Sequence, residues 1–131
     1  MEEGIILKST PYYFYGADGL VFMAGEMNPG DAAEAARLNS CSYAEGRARP
    51  GWDYVAEGVL LPRPEMPIQV DGLTLRNVPF PSELSVDRRS FYQVDDSIVE
   101  LEFDRPGTYL VGVRCPPYLD WGETFENQAR N

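Results

Sequence analysis

Carboxylates are the plentiful reactive groups of this chain: 21 Asp and Glu among 131 residues, with no histidine at all. Asp95-Asp96 sit at a turn, Glu100 and Glu102 alternate along a strand, and Asp120, Glu123 and Glu126 gather near the end. Acid–base work by a carboxylate pair needs one member desolvated in a cleft. Nothing in these spacings singles one out, and such residues ordinarily form a solvated face. Asp95, Asp96 and their neighbours could surround a calcium ion, but the spacing of an EF-hand loop is missing. Without histidine, no Ser-His-Asp or Cys-His pair can form, and no imidazole can bind a metal. Cys41 and Cys115 stand far apart with no CxxC spacing, which points away from zinc and dithiol chemistry. They read as two reduced, buried thiols, Cys115 on the inward face of its strand; a long-range disulfide is the alternative. Gly16–Gly19 lacks the lysine and following helix of a phosphate loop. The reading is of a non-enzymatic chain with no cofactor and no metal.

The aromatic residues carry the stronger signal. Tyr12, Tyr13, Phe14 and Tyr15 are consecutive, so an extended strand sends two to each face. Either the sheet lies between two packed layers, or one face docks on another subunit, where Tyr and Phe are enriched; a sugar-binding platform is a third option. A small N-terminal unit whose opposing layer is one alanine-rich helix is expected to bury one face only. Tyr12, Tyr13, Phe14 and Tyr15 are therefore candidate interface residues, joined by Tyr118 and Trp121 near the C-terminus.

The elements that position them follow from pattern. "YYFYGADGLVFMA" predicts a hairpin with strands near Tyr12–Tyr15 and Leu20–Ala24, since Asp and Gly accept the positive φ of tight loops. "NPGDAAEAARLNS" predicts a two-turn helix with Asp31 as N-cap and Asn39 as its end. Residues 41–53 read as loop, and "YVAEGVLLPRP" as a strand ending at Pro62. Three prolines between Pro62 and Pro67 predict a stiff extended connector. The chain then divides into a hairpin-and-helix unit at 1–61, a linker at 62–67 and a β-sandwich at 68–131.

The second half is rich in period-two alternation. "ELSVD" and "SFYQVD" flank a turn at Arg88-Arg89. In "SIVELEFD" and "GTYLVGVRC", Val99, Leu101, Phe103, Tyr109, Val111 and Val113 share an inward face. Arg105-Pro106-Gly107-Thr108 fits a type II turn and predicts one hairpin from these two runs. Short strands with frequent turns suggest a compact sandwich. The fold class expected is mainly β: an N-terminal hairpin plus short helix, then an immunoglobulin-like β-sandwich.

A net charge of −10 argues against a nucleic-acid backbone, which demands clustered Lys and Arg, and against an anionic membrane surface. The opening "MEEGIILK" lacks the basic start and longer apolar run of a secretory signal, and no apolar run approaches the ~18 residues of a membrane span. A soluble chain is expected.

Several segments resemble short proteins encoded among bacteriophage and prophage tail genes. They are Tyr12–Gly19, Tyr54–Pro64, Asp71–Leu75, Val99–Asp104, Pro106–Tyr109 and Pro117–Trp121, with "VELEFDRPGTY" and "PYLDW" the most specific. The last domain is also similar to PEGA-type and immunoglobulin-like modules. The chain departs from the group at Asp87-Arg88-Arg89, where an Asp-Gly turn is usual. The resemblance implies a virion protein of the tail tip or fibre region, made in the host cytoplasm, assembling with other tail proteins as a homo- or hetero-oligomer. It supplies no catalytic residues. A carbohydrate- or receptor-binding module, and an acidic regulator mimicking nucleic acid, are the competing expectations.

Overall fold

The computed structural model describes residues 9–128; the opening octapeptide and residues 129–131 lie outside the described residues. The chain is mainly β and forms two compact units, Met1–Arg63 and Pro64–Asn131.

In the first unit, β1 (Thr10–Tyr15) and β2 (Val21–Met27) form the expected hairpin. Its turn depends on Gly19, which has φ +84° and lies so close to Val55 that a Cβ would sit 2.4 Å from the Val55 carbonyl oxygen. Only glycine satisfies both conditions. Helix α1 (Pro29–Leu38) begins earlier than the Asp31 cap predicts. Asn28 is the N-cap: its Oδ1 accepts from the Asp31 N–H at 2.8 Å, and its Nδ2 donates to the Asp31 carboxylate at 2.9 Å. Pro29 occupies the first helical position, where a missing N–H costs nothing.

Residues 41–53 are not all loop. β3 (Ser42–Glu45) pairs with β1, giving the sheet order β2-β1-β3. The apolar run that follows is two strands, β4 (Asp53–Ala56) and β5 (Val59–Pro62), folded at Glu57-Gly58.

The proline cluster is not a free spacer. Pro62 ends β5 opposite Asp53, and the Arg63 N–H donates to the Trp52 carbonyl. On the other side of the boundary, the Pro64 carbonyl accepts from the Leu119 N–H, and Met66 is buried in the core of the second unit. Proline is compatible with extended backbone at strand ends and edges, where no ladder donor is needed, so the cluster was absorbed into both units.

Among the described residues the second unit has seven strands. β6 (Gln69–Asp71), β7 (Thr74–Arg76) and β10 (Val99–Glu100) make one sheet, ordered β10-β7-β6. β8 (Ser82–Val86), β9 (Ser90–Val94), β11 (Gly107–Arg114) and β12 (Trp121–Asn127) make the other, ordered β12-β11-β8-β9. Leu75 from the first sheet and Leu84, Val94, Val111, Val113 and Phe125 from the second share one apolar core. Fully buried, each aliphatic side chain contributes about 1.5–3 kcal/mol. The chain crosses between sheets after β7, β9 and β10, the strand exchange of an immunoglobulin-like sandwich.

One expected hairpin is absent. Val99–Glu100 pairs with β7 and Gly107–Arg114 with β8 and β12, so the two runs belong to different sheets. Both sides of β11 are occupied, which leaves no edge for β10. The Pro-Gly segment is instead the corner between sheets. Phe103 stacks on Tyr109 with ring centroids 4.1 Å apart. The Tyr109 hydroxyl donates to the Arg105 carbonyl at 2.6 Å, and Asn127 Nδ2 donates to the Phe103 and Arg105 carbonyls. A tyrosine near the start of a strand, bonded to backbone a few residues upstream, is the corner device of this sandwich class. The inward parity survives the change of pairing: Val111 and Val113 are buried, while Val99, Leu101 and Phe103 pack against the core.

Tyr109→Phe and Asn127→Ala are each expected to lower stability by about 0.5–1.5 kcal/mol, the usual net worth of an intramolecular hydrogen bond. Urea unfolding measures the loss, with exposed Glu102→Gln as a control that stays within about 0.5 kcal/mol of the parent. Two corner variants indistinguishable from that control would show that the corner is held by packing alone.

Candidate functional site

The aromatic run of β1 is core, which corrects the expectation that one of its faces must dock elsewhere. Tyr12 and Tyr13 are each 7% exposed and Phe14 is 0% exposed. Tyr12 and Phe14 face α1 and pack with Ala32 and Ala36; Tyr43 of β3 lies about 6 Å from both rings. Tyr13 and Tyr15 take the opposite face, their centroids 6.1 Å apart, and Tyr15 is half-buried. A Cβ at Gly46 would lie 3.3 Å from the Tyr13 ring, so the backbone after β3 runs against that ring.

Sequence reasoning missed that second layer because residues 46–53 looked structureless. The segment is tied down by backbone and charge. Gly46 N–H donates to the Pro11 carbonyl and Gly51 N–H to the Val21 carbonyl. Asp53, 7% exposed, accepts from the Arg49 backbone N–H at 2.8 Å and from its guanidinium at 2.9 Å. Burial by itself would raise the Asp53 carboxyl, but the hydrogen bonds and charge of Arg49 outweigh it and hold the group below its ordinary value.

Tyr118 and Trp121 are half-buried and pack against the sandwich core. Trp121 pairs with Val113 across the ladder, and its ring lies 6.5 Å from that of buried Phe125. It belongs to the border of the core. The candidate interface residues thus divide between the core of the first unit, which holds Tyr12, Tyr13 and Phe14, and the border of the second unit's core, which holds Tyr118 and Trp121. Cys41 and Cys115 are free and half-buried, less covered than expected. The Cys115 thiol donates to the Pro81 carbonyl at 3.3 Å, and burial pushes its pKa up.

Besides Phe80, which precedes β8 and is 55% exposed, the exposed aromatics of the second unit lie on β9. Phe91 is 58% and Tyr92 57% exposed. Adjacent on a strand, they point to opposite faces. Tyr92 pairs with Leu84 and shares the inward parity of buried Val94, yet it is open to solvent. The cause is a mismatch of layers: four strands face three, and β9 is the strand with no opposite number.

The uncovered space is a groove of about 820 Å³. Leu84, Val86, Tyr92 and Val94 form one wall; Ile98, Val99, Leu101 and Phe103 form the other, with Tyr109 at the corner. Asp95, Asp96, Glu100, Glu102 and Asp104 stand around it, against Arg105 as the cation among its lining residues. All five carboxylates belong to exposed residues, and among the described residues none of them is in an ion pair. Such an arrangement offers apolar contact to a ligand's body and attraction to its positive charge. Among the described residues no group of three or more Cys, Asp or Glu side chains is placed to hold a metal ion, and no helix is long and apolar enough to cross a membrane. The readable signal was "SFYQVDD": adjacent aromatics followed by two acids on a strand beside a turn.

Two expectations follow. Tyr13→Ala and Phe14→Ala should each cost about 3–5 kcal/mol by opening a buried cavity, whereas Tyr92→Ser should stay within about 0.5 kcal/mol of the parent; thermal and urea unfolding would separate them, and a stable Tyr13→Ala protein would restore that residue as an interface anchor. Because the Asp53 carboxyl is lowered in the folded chain, its contribution is present above the ordinary carboxylate range, about pH 4, and is lost as pH falls through the lowered folded value. Asp53→Asn should flatten the acid limb of a stability–pH profile of β1–β3, read by amide exchange; an unchanged limb would place the acid sensitivity elsewhere.

No family model, curated protein or solved structure matches the chain.

Proposed function

We propose that the chain is a non-enzymatic structural component of a bacteriophage tail, in the tip or fibre region, that works as an assembly or attachment adaptor. The carrying observation is the uncovered inner face of β9, where Tyr92 stands more than half exposed over an apolar groove. Apolar grooves of this size on a small soluble chain mark places where something binds. Supporting it are the tail-locus pattern of "VELEFDRPGTY" and "PYLDW" and two separately cored units, an economical design for a part that joins others. The strongly acidic balance agrees with protein partners over nucleic acid.

The anchors under this reading are Tyr92 and Phe91, in place of the buried Tyr12–Phe14 run. A few aromatic residues dominate most interfaces, so Tyr92→Ser should cut incorporation of the chain into particles at least tenfold while leaving thermal unfolding of the isolated protein unchanged. Normal incorporation of the Tyr92→Ser, Phe91→Ser double variant would overturn the adaptor reading.

A second reading has its own observation: Tyr92, Tyr109 and Phe103 line an open groove, and aromatic faces in a groove also suit a carbohydrate or receptor. That reading forecasts particles that assemble normally with the variant chain but lose attachment to cells.

A further inference from the structure

The groove has a shape and polarity that restrict its occupant. β10 is the outer strand of the three-stranded sheet, paired on one side with β7 alone. The Leu101 N–H donates to the Leu73 carbonyl, extending that pairing beyond Glu100. In an antiparallel ladder alternate residues bond to the same neighbour. Val99 and Leu101 therefore spend their backbone groups on β7, and those of Glu100 and Glu102 face the open edge.

The side chains alternate on the perpendicular axis. Val99, Leu101 and Phe103 turn inward and are half-buried; Glu100 and Glu102 turn outward and are exposed. Directly across the groove, the inner face of β9 has no strand against it. A strand laid beside β10 would fill the missing place, making four strands face four, and would cover Tyr92.

We propose that the groove binds an extended segment of a partner chain in which apolar residues alternate with Lys or Arg, added as a fourth strand beside β10. Its apolar side chains would descend between Tyr92 and Leu101. Its basic side chains would lie outward beside Glu100 and Glu102, since side chains directly opposite on one face of a sheet interact. Adding a strand to an exposed edge is a general mode of peptide recognition: backbone bonds supply affinity and alternate side chains supply specificity. About five to seven residues would span the edge at ~3.4 Å each.

Charge selects against a second copy of this chain as the occupant. The chain carries a net charge of −10, and Asp95, Asp96, Glu100, Glu102 and Asp104 would confront like charge. A cationic segment relieves that repulsion and is steered in by it. The proposal deepens the adaptor reading above by naming the partner's chemistry, and it relies on that reading only for where the segment comes from.

The test uses the full chain and a blocked peptide of alternating Lys and Val. Three competitors accompany it: alternating Glu and Val, the Lys/Val composition with its valines clustered, and a soluble oligosaccharide. Titration should show the alternating basic peptide binding at least tenfold more tightly than every competitor. Binding should weaken about tenfold in the Glu100→Lys, Glu102→Lys variant and in Tyr92→Ser. Amide exchange should slow at Glu100 and Glu102. Equal binding of the clustered peptide, protection confined to β9, preference for the acidic peptide or the sugar, or no binding would each overturn the proposal. Particle incorporation separates the two claims. A Tyr92→Ser chain that fails to incorporate, alongside no peptide binding, defeats the strand-addition inference and leaves the adaptor reading standing. Strong peptide binding alongside normal incorporation of that variant does the reverse.

Discussion

A three-stranded sheet cannot cover a four-stranded one. This mismatch in the second unit determines most of what is distinctive about it. Seven strands are shared between layers so that β7, β8 and β11 are interior and close over Leu75, Leu84, Val111 and Val113. The remaining inward face, on β9, has nothing opposite it. The apolar parity of that strand nevertheless continues, with Tyr92 following Val94, so the same alternation that builds the core elsewhere here builds an open wall. The two edges bordering the groove, β9 and β10, are joined by the Asp95-Asp96 turn, which places acidic residues at its rim. Exposed edges invite pairing with other chains. Like charge along this one discourages self-association while leaving it open to a cationic strand.

The first unit resolves its own excess of aromatic surface in the opposite way. Consecutive Tyr12, Tyr13 and Phe14 demand cover on both faces of β1. The helix supplies one cover, with Ala32 and Ala36 small enough to let the rings approach. The other comes from a segment without much regular structure, fixed by Gly46 and Gly51 hydrogen bonding to β1 and β2 and by the Arg49–Asp53 pair. Arg49 is exposed and Asp53 is not, so the carboxylate does the buried part of that work, satisfied by a backbone N–H as well as by charge. Removing the carboxylate would leave the Arg49 N–H without the acceptor that fixes this segment.

Local rules made much of this legible. The β1–β2 hairpin, the helix, the β8–β9 hairpin at Asp87-Arg88-Arg89 and the inward parity of Val99 through Val113 all follow from turn residues and period-two alternation. The failures have one cause in common: alternation tells which face a residue takes, but not which strand lies beside it. "VELEFDRPGTYLV" has the turn residues of a hairpin, yet its strands separate into two sheets because β11 gains two better neighbours and Tyr109 and Asn127 capture the corner carbonyls. The proline cluster reads as a spacer because proline lacks a donor, a property that strand ends tolerate equally well. The buried aromatic run reads as half uncovered because its second layer is held by contacts distant in sequence. The groove was hidden for the same reason, since an unmatched strand shows itself only once sheet order is known.

If the inferred strand addition is right, the place opposite β9 is filled by a strand from another protein. The most direct measurement is a density map of the chain bound to its partner, at a resolution that separates strands. The expected result is an extended foreign segment bonded to the backbone of Glu100 and Glu102, with Tyr92 covered by its apolar side chains. A groove that stays open to solvent while the chain holds its neighbours through other surfaces would contradict it.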